Sequence, residues 1–309
     1  MSYTTMGGTV TTRFMIISDT HSVKFDRVKK CDGTFRPPFP KANVVLHCGD
    51  LTSVGGIQEL KGVVEMMGEL DAELKLVIAG NHDLTLDPDF WKTHMHHEFT
   101  KEKHEEALQV MTGPSAKAAG ITYLEEGLNT FRLENGAKFT IYTSPYMPEF
   151  CDWGFPYERD QDRFNSLHRV DGETGTSIAV NPIPDHGTVD IVMTHGPPQY
   201  VLDECAGGNV GCDSLLRAVS RCRPRLHCFG HIHEGHGAEK ITWKEDKTAI
   251  GKNAMERDRM PVVNEYPNVS SYLVEFGREK LMVNAAIMDV RYHPINNPWM
   301  LDLEMPRRD

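Results

Sequence analysis

The feature that most constrains this chain is a series of five short polar motifs, each set directly after an apolar run. Asp19-Thr20-His21 follows Phe14–Ile17, Gly49-Asp50 follows Val44–Leu46, and Gly80-Asn81-His82-Asp83 follows Leu76–Ala79. His195-Gly196 follows Val189–Met193 and, more loosely, Gly230-His231-Ile232-His233 follows Leu226–Phe229. A short apolar run that stops at Gly, Asp or His reads as a buried strand opening into a loop. In α/β folds sites gather at the carboxyl ends of strands, because loops there project side chains toward one point. The groups projected here are carboxylates, imidazoles and an amide, the oxygen and nitrogen donors that hold divalent metal. A metal-dependent hydrolase is the expected class.

The same motifs bear on domain organisation. At 309 residues, length alone points to about two domains. Groups that share a site must converge, however, and these run from Asp19 to His233, so one domain over residues 13–306 is expected. Strand Arg13–Ile17, strand Asn43–Leu46, a helix over Gly55–Leu70 and strand Lys75–Ala79 alternate in the first third. The helix rests on the spacing of Ile57, Leu60, Val63, Val64, Met67 and Leu70. Asp19 to Asp50 and Asp50 to Asn81 are each 31 positions, about one βαβ unit.

A second helix over Glu98–Ala119 is interrupted near Gly113-Pro114. Thr130–Leu133 and Lys138–Tyr142 flank Asn135-Gly136, two residues that tolerate positive φ, so a hairpin is expected. Residues 188–196 return to a strand, Asp213–Arg221 forms a short helix, and Ser271–Phe276 with Lys280–Ala285 forms another hairpin. The polar stretches 157–187 and 239–267 read as surface insertions. Parallel units followed by hairpins imply two packed mixed sheets with helices outside.

Net charge is −11, and Arg217, Arg221, Arg223 and Arg225 form a basic-rich patch. That patch reads as a helix C-terminus answering its dipole, so no nucleic-acid partner is expected. A small phosphorylated substrate remains compatible, since a metal centre supplies local positive field. The longest apolar runs are strand-sized, so no membrane span is expected. Residues 1–12 lack the charged head and apolar stretch of a secretory signal. Seven irregularly spaced cysteines without CxxC read as reduced thiols in a cytoplasmic protein, and Asn268-Val269-Ser270 is then a chance sequon.

Singly, each motif has an ordinary reading. Asp50 could cap a helix, Asn81-His82 could be a turn, and His195-Gly196-Pro197-Pro198 could be a strand stopped by proline. Taken in order, the string resembles the calcineurin-like metallophosphoesterase signature. Ile78–Thr85, Thr194–Pro198, Val210-Gly211-Cys212, Arg223–Gly235, Val283-Asn284-Ala285, Pro294 and Asn297-Pro298 are similar to one branch, the metallophosphoesterase-domain-containing proteins. That branch is related to class III cyclic-nucleotide phosphodiesterases, and the resemblance covers about residues 13–306.

The resemblance implies an α/β fold, a four-layer α-β-β-α sandwich of two mixed β-sheets flanked by helices, with two divalent ions at the strand ends. It implies that Asp19, His21 and His233 hold the first ion, that Asn81, His195 and His231 hold the second, and that Asp50 bridges. His82 would face the substrate and protonate the leaving oxygen, oriented by Asp83 or by a backbone carbonyl. Asn81, Gly196 and His236 are expected to reach the substrate as well. Some members of the branch lack the first His of Gly-His-x-His; this chain keeps His231, which favours an intact centre. Mn²⁺ is the implied ion, with Fe²⁺ or Zn²⁺ as alternatives.

The expected reaction is hydrolysis of small phosphodiesters such as cyclic nucleotides, by in-line attack of a hydroxide shared between the ions. A phosphomonoesterase or nucleotide pyrophosphatase would use the same ligands, and a weakly active nucleotide-binding regulator is the reading from another class. The sequence carries no signal for oligomeric state. His94, His96 and His97 read as an exposed helix or loop, and strand alternation points His47 and His227 away from the site. Trp153, Phe155 and Tyr157 read as packing of the polar excursion onto the core, with a lid over a base as the alternative.

Overall fold

In the computed structural model, which describes residues 8–23, 35–94, 96–97, 99–169, 175–246, 248–271, 274–275 and 278–307, side-chain alternation along the strands sorts the core into layers. The main strands are β1 (Thr9–Ile17), β2 (Ala42–His47), β3 (Ala72–Val77), β4 (Ile121–Tyr123), β5 (Gly127–Arg132), β6 (Lys138–Ser144) and β7 (Ile191–Thr194). They continue with β8 (Leu226–Phe229), β9 (Gly237–Trp243), β10 (Met255–Pro261), β11 (Ser270–Ser271), β12 (Glu279–Asn284) and β13 (Trp299–Pro306). The main helices are α1 (Ile57–Gly68), α2 (Lys101–Thr112), α3 (Pro114–Ala118) and α4 (Asp213–Cys222).

One sheet has the order β11-β13-β1-β2-β3-β4 and the other β10-β9-β12-β8-β7-β6-β5. β1 to β4 are parallel neighbours, as are β6, β7, β8 and β12. Antiparallel strands flank them, β13 on β1, β9 on β12, β10 on β9 and β5 on β6. Phe14 and Ile16 turn into the space between the sheets with Phe139, Ile141, Ile191 and Met193. Met15 and Ile17 turn the other way, onto Leu60, Val63 and Met67 of α1 and Met111 of α2. Beyond the second sheet, Tyr142, Val192 and Met282 pack with Leu216, Val219 and Cys222 of α4. The layers therefore run helix, sheet, sheet, helix, as the motifs implied. Fully burying one such side chain contributes about 1.5–3 kcal/mol, so the outer layers hold the strand ends in place.

The long second helix divides where expected. Gly113 ends α2, and Pro114 opens α3 at the first helical position, where a missing N–H costs nothing. The Asn135-Gly136 hairpin forms, but only Gly136 has positive φ (89°). Gly136 N donates to Leu133 O at 3.0 Å and Leu133 N to Ala137 O at 2.9 Å, a three-residue loop with a glycine bulge.

The second expected hairpin does not form. Residues 272, 273 and 276 of its first strand lie outside the described residues. The start of that strand, β11, pairs parallel to β13 in one sheet, whereas β12 lies in the other between β8 and β9. Local spacing reveals apolar runs, but not which sheet each run joins. Residues 239–267 also differ from an irregular insertion: β9 and β10 pair at the edge of the second sheet, where a polar strand can face solvent on one side. The stretch 157–187, outside the described residues at 170–174, has only short pairings, yet Phe164 and Ile183 are buried beside α4. β13 has no counterpart in the sequence reading; its Leu301, Leu303 and Met305 alternate into the space between the sheets.

Among the described residues, no helix is long and apolar enough to cross a membrane. The arginine patch is bound into the chain's own framework. Arg221 meets Asp185 and donates to Asn165 Oδ1 at 2.8 Å, Arg217 donates to Arg169 O at 3.4 Å, and Arg225 Nε lies 3.5 Å from Asp190.

Candidate metal centre

The carboxyl ends of β1, β2 and β3 in one sheet meet those of β7 and β8 in the other, and each end delivers one motif. The chain turns sharply there. Asp19 (φ 55°), His21 (40°), Asp50 (51°) and His231 (68°) all lie in the left-handed region, which costs a non-glycine residue about 1–2 kcal/mol. Such strain persists where the surroundings over-determine it. Here Asp19 N donates to Gly49 O (3.0 Å), His21 N to Asp50 O (3.1 Å) and Gly230 N to His195 O (2.9 Å). His231 N donates to both carboxylate oxygens of Asp19 at 3.0 Å. Gly230 must be glycine, since a Cβ would fall 2.0 Å from Asp19 Oδ2.

Among the described residues, donor atoms gather in three groups, each within 4.8 Å: Asp19, His21 and His233; Asp50, His195 and His231; and His21, Asp50 and His82. His233 Nε2 lies 3.4 Å from Asp19 Oδ1, His21 Nε2 3.6 Å from Asp50 Oδ2, and His195 Nε2 3.3 Å from Asp50 Oδ1. Asn81 Oδ1 is 2.8 Å from His195 Nε2. All seven residues read as ligands thus converge, and Asp50 lies between His21 of one trio and His195 of the other. The third group places His82 nearer the donors than a purely substrate-facing residue requires.

Four of the site's imidazoles share one orientation device. His21 Nδ1 donates to Thr52 O (3.1 Å), His195 Nδ1 to Cys48 O (2.9 Å), His233 Nδ1 to Asp289 O (2.9 Å) and His82 Nδ1 to Ser53 O (2.8 Å). A carbonyl only accepts, so each Nδ1 carries a proton and each Nε2 is presented to the site.

Charge balance follows. Asp19 is buried, which alone would raise its pKa, but the hydrogen bond and charge of His233, with His195, hold it at about 2. Burial opposes ionisation of Asp50 too, yet His195 and His21 keep it well below the ordinary carboxylate value. Burial lowers His231 to about 3 and also lowers His21, so both are neutral donors. Burial disfavours protons on His195 and His233, but Asp50 and Asp19 respectively push these rings up to about 9. Two buried carboxylates thus call for positive charge at this point.

The donor set fits divalent cations. Among the described residues, buried His21 Nε2 has no hydrogen-bond partner, a state that costs about 1–3 kcal/mol unless something satisfies it. His195 Nε2 and Asn81 Oδ1 face each other as two acceptors whenever the ring is neutral, and a shared cation resolves that opposition. Mixed oxygen and imidazole donors with no thiolate suit Mn²⁺, Fe²⁺ or Zn²⁺.

Two expected residues stand elsewhere. Asp83 turns away from the His82 ring, its oxygens accepting from Leu51 N, Thr52 N, Thr52 Oγ1 and Gly80 N, so the Ser53 carbonyl orients His82. Burial, with the charge of Asp50, raises Asp83 to about 6. His236 bonds Asn297 O (2.9 Å), stacks on Trp299 and lines a neighbouring cavity rather than the one over the donors. Gly196 does line the cavity over the donors. Asp50 does not cap a helix; Glu59 accepts the Gly56 N–H at the start of α1. His47 in β2 bonds Thr20, His227 in β8 bonds Thr194 in β7, and His94 pairs with Asp152.

Sequence reasoning missed Tyr292, whose ring lies 4.8 Å from His21 and 5.3 Å from His233 with φ of 60°. It also missed how Asn284 works: its Nδ2 donates to Ile232 O (2.9 Å) and Leu202 O (3.1 Å), bracing the Gly-His-x-His loop. Nothing local to Tyr292 signals its place; the asparagine in Val283-Asn284-Ala285, a polar residue ending an apolar run, was the available hint.

Known proteins resemble this chain in sequence. A family model for calcineurin-like phosphoesterases matches residues 12–235. Metallophosphoesterase domain-containing protein 1 of Homo sapiens, like that of Mus musculus, is 32% identical over 308 residues, covering 96% of this chain and 72% of the relative. UPF0046 protein T07D4.2 of Caenorhabditis elegans is 32% identical over 231 residues, covering 73% of this chain and 52% of the relative. With donors at the strand ends of a four-layer sandwich and likeness along nearly its whole length, the chain belongs to the calcineurin-like phosphoesterase family, in the branch of the metallophosphoesterase domain-containing proteins.

Proposed function

We propose that this phosphoesterase acts as a phosphodiesterase on small diesters that carry a flat organic group, cyclic nucleotides among them. The observation that carries the reading is the cavity of about 490 Å³ over the donor groups. Tyr146, Met147, Pro148, Phe150, Pro197, Leu215 and Tyr292 wall it, and Arg159 is the only Lys or Arg among its described lining residues. A monoester dianion or a pyrophosphate favours several cationic groups, whereas a singly charged diester with an apolar substituent suits these walls.

Asp19, His21 and His233 would hold one cation, Asn81, His195 and His231 the other, with Asp50 shared. Cations held there would supply Lewis acidity, which lowers the pKa of water toward neutrality and offsets phosphoryl charge. His82 lines the cavity and, with Nδ1 committed to Ser53, offers Nε2–H to the leaving oxygen. The water oxygen bonds to phosphorus as the opposite P–O bond breaks; the departing oxygen takes the His82 Nε2 proton, and the proton shed by the attacking water passes to solvent, from which His82 is reprotonated. A positioned acid contributes about 10²–10⁴-fold. A reducing, cytoplasmic setting fits the six described cysteines, all free thiols.

The test is turnover on metal-stripped protein reloaded with Mn²⁺, using bis-p-nitrophenyl phosphate, p-nitrophenyl phosphate, 2′,3′-cAMP and 3′,5′-cAMP. Preferential diester cleavage, lost in His82→Ala, supports the reading. Monoester preference moves the chain to the phosphatases. Two bound ions with tight nucleotide binding and no turnover would instead mark a regulatory binding protein.

A further inference from the structure

We propose that Trp153 is a positioning residue for His82, holding the imidazole plane so that Nε2 meets the leaving oxygen; this rests on the reading of His82 as the proton donor. The indole stacks on the imidazole with centroids 3.9 Å apart and planes inclined by 26°. The bond from Nδ1 to Ser53 O fixes one point of the ring and leaves rotation about that axis. An indole against the face removes that rotation, and the His21 ring, edge-on at 4.7 Å and 85°, bounds the ring from a second direction. Proton transfer needs Nε2 within about 2.6–3.2 Å of its partner, so a modest tilt is costly.

The loop that carries Trp153 is tied to the catalytic loop. Gly154 N donates to Asn81 O at 3.0 Å, and a Cβ on Gly154 would press to 3.0 Å from that same oxygen. Phe155 N donates to Asp87 Oδ2, and the Phe155 ring anchors the far end in the helix-facing core. Cys151 (φ 53°) and Asp152 (φ 59°) reverse the chain tightly just before the indole. Trp153 is absent from the described lining of the cavity over the donors, which includes His82 and Phe150. Its path to the substrate therefore runs through His82.

Leaving-group dependence tests this directly. Metal-loaded wild type, Trp153→Ala, Trp153→Phe, His82→Ala and the Trp153→Ala/His82→Ala double variant are assayed on p-nitrophenyl methyl phosphate and phenyl methyl phosphate. Phenolate is the poorer leaving group and needs the proton more. Trp153→Ala should lower kcat on the phenyl ester about tenfold and on the p-nitrophenyl ester far less, with KM and bound metal unchanged. Trp153→Phe should recover most of the loss, and the double variant should match His82→Ala alone. Equal losses on both esters, loss of metal or an additive double variant would overturn the assignment. If Trp153→Ala does not fold, Trp153→Leu keeps apolar bulk without a ring and answers the same question. A His82→Ala variant with no leaving-group dependence overturns the acid assignment itself; dependence there but not at Trp153 overturns only the positioning role.

Discussion

Gly80 presses against Asp50 so closely that a Cβ would fall 2.3 Å from both the backbone nitrogen and Oδ1 of Asp50, and 2.7 Å from His195 Cε1. Two strand ends from one sheet and a histidine from the other leave no volume at this point. Gly80→Ala should therefore displace Asp50. Overpacking of this kind costs about 1–3 kcal/mol, and metal content should fall with it. Urea unfolding and elemental analysis of the same preparation check both; unchanged metal with unchanged stability would show that the loop yields freely.

Metal removal should expose how far the centre depends on cations. Two buried carboxylates and the orphaned Nε2 of His21 gain a partner when ions bind. Stripping with chelator should lower the Tm, and Mn²⁺ should restore it, by about 2.7 kcal/mol at a hundredfold excess over Kd. Asp50→Ala should bind fewer than two ions per chain and lose most of that shift. Full retention of two ions in the variant would sink the bridging role.

Asp83 supports the two loops that carry Asp50 and His82. Its carboxylate accepts four hydrogen bonds, from Leu51 N at 3.1 Å, Thr52 N at 2.9 Å, Thr52 Oγ1 at 2.7 Å and Gly80 N at 2.8 Å. Asp83→Asn turns an NH₂ toward some of those donors and should destabilise by on the order of 3 kcal/mol. Activity per folded molecule should fall less than in His82→Ala. A loss of kcat equal to His82→Ala with normal thermal stability would restore a direct catalytic part for Asp83.

Lys280, at the amino end of β12, gives a pH prediction. Its Nζ is buried with no hydrogen-bond partner among the described residues, 5.1 Å above the Trp243 ring, and burial pushes its pKa well below the usual 10.5 despite an opposing effect from Cys222. The unfolded chain then binds this proton more tightly than the folded one. Stability from this group falls as pH drops below 10.5 toward the folded value. Lys280→Met should flatten that slope and stabilise at neutral pH by about 1–3 kcal/mol. Urea midpoints from pH 6 to 10 decide; a slope that survives the substitution assigns it to another group.

Much of this was legible before any coordinates. The β1–β3 alternation and α1 read correctly because period-2 and period-3.6 patterns are local properties of a half-buried segment. All seven expected metal donors converge because each lies within a few residues of an apolar strand end. The reading failed where pairing is long-range. β11 and β12 looked like one hairpin but join different sheets, and β13, from the far end of the chain, inserts between β11 and β1. His236 sits one residue beyond the Gly235 that closes its loop, and a single turn sends its ring to Trp299 instead of the substrate cavity.

The sequence by itself determined which donors exist, their order, and that each follows a strand, since strand length and turn residues are decided by near neighbours. Tertiary structure decided which nitrogen each imidazole presents. His195 takes its Nδ1 partner from Cys48, 147 positions away, and Asp19 meets His231 across 212 positions. It also decided that Ser53, not Asp83, orients His82, and that Trp153 lies on its face. No local pattern encodes those partners, because they are brought together only when two sheets bury their shared apolar faces against each other.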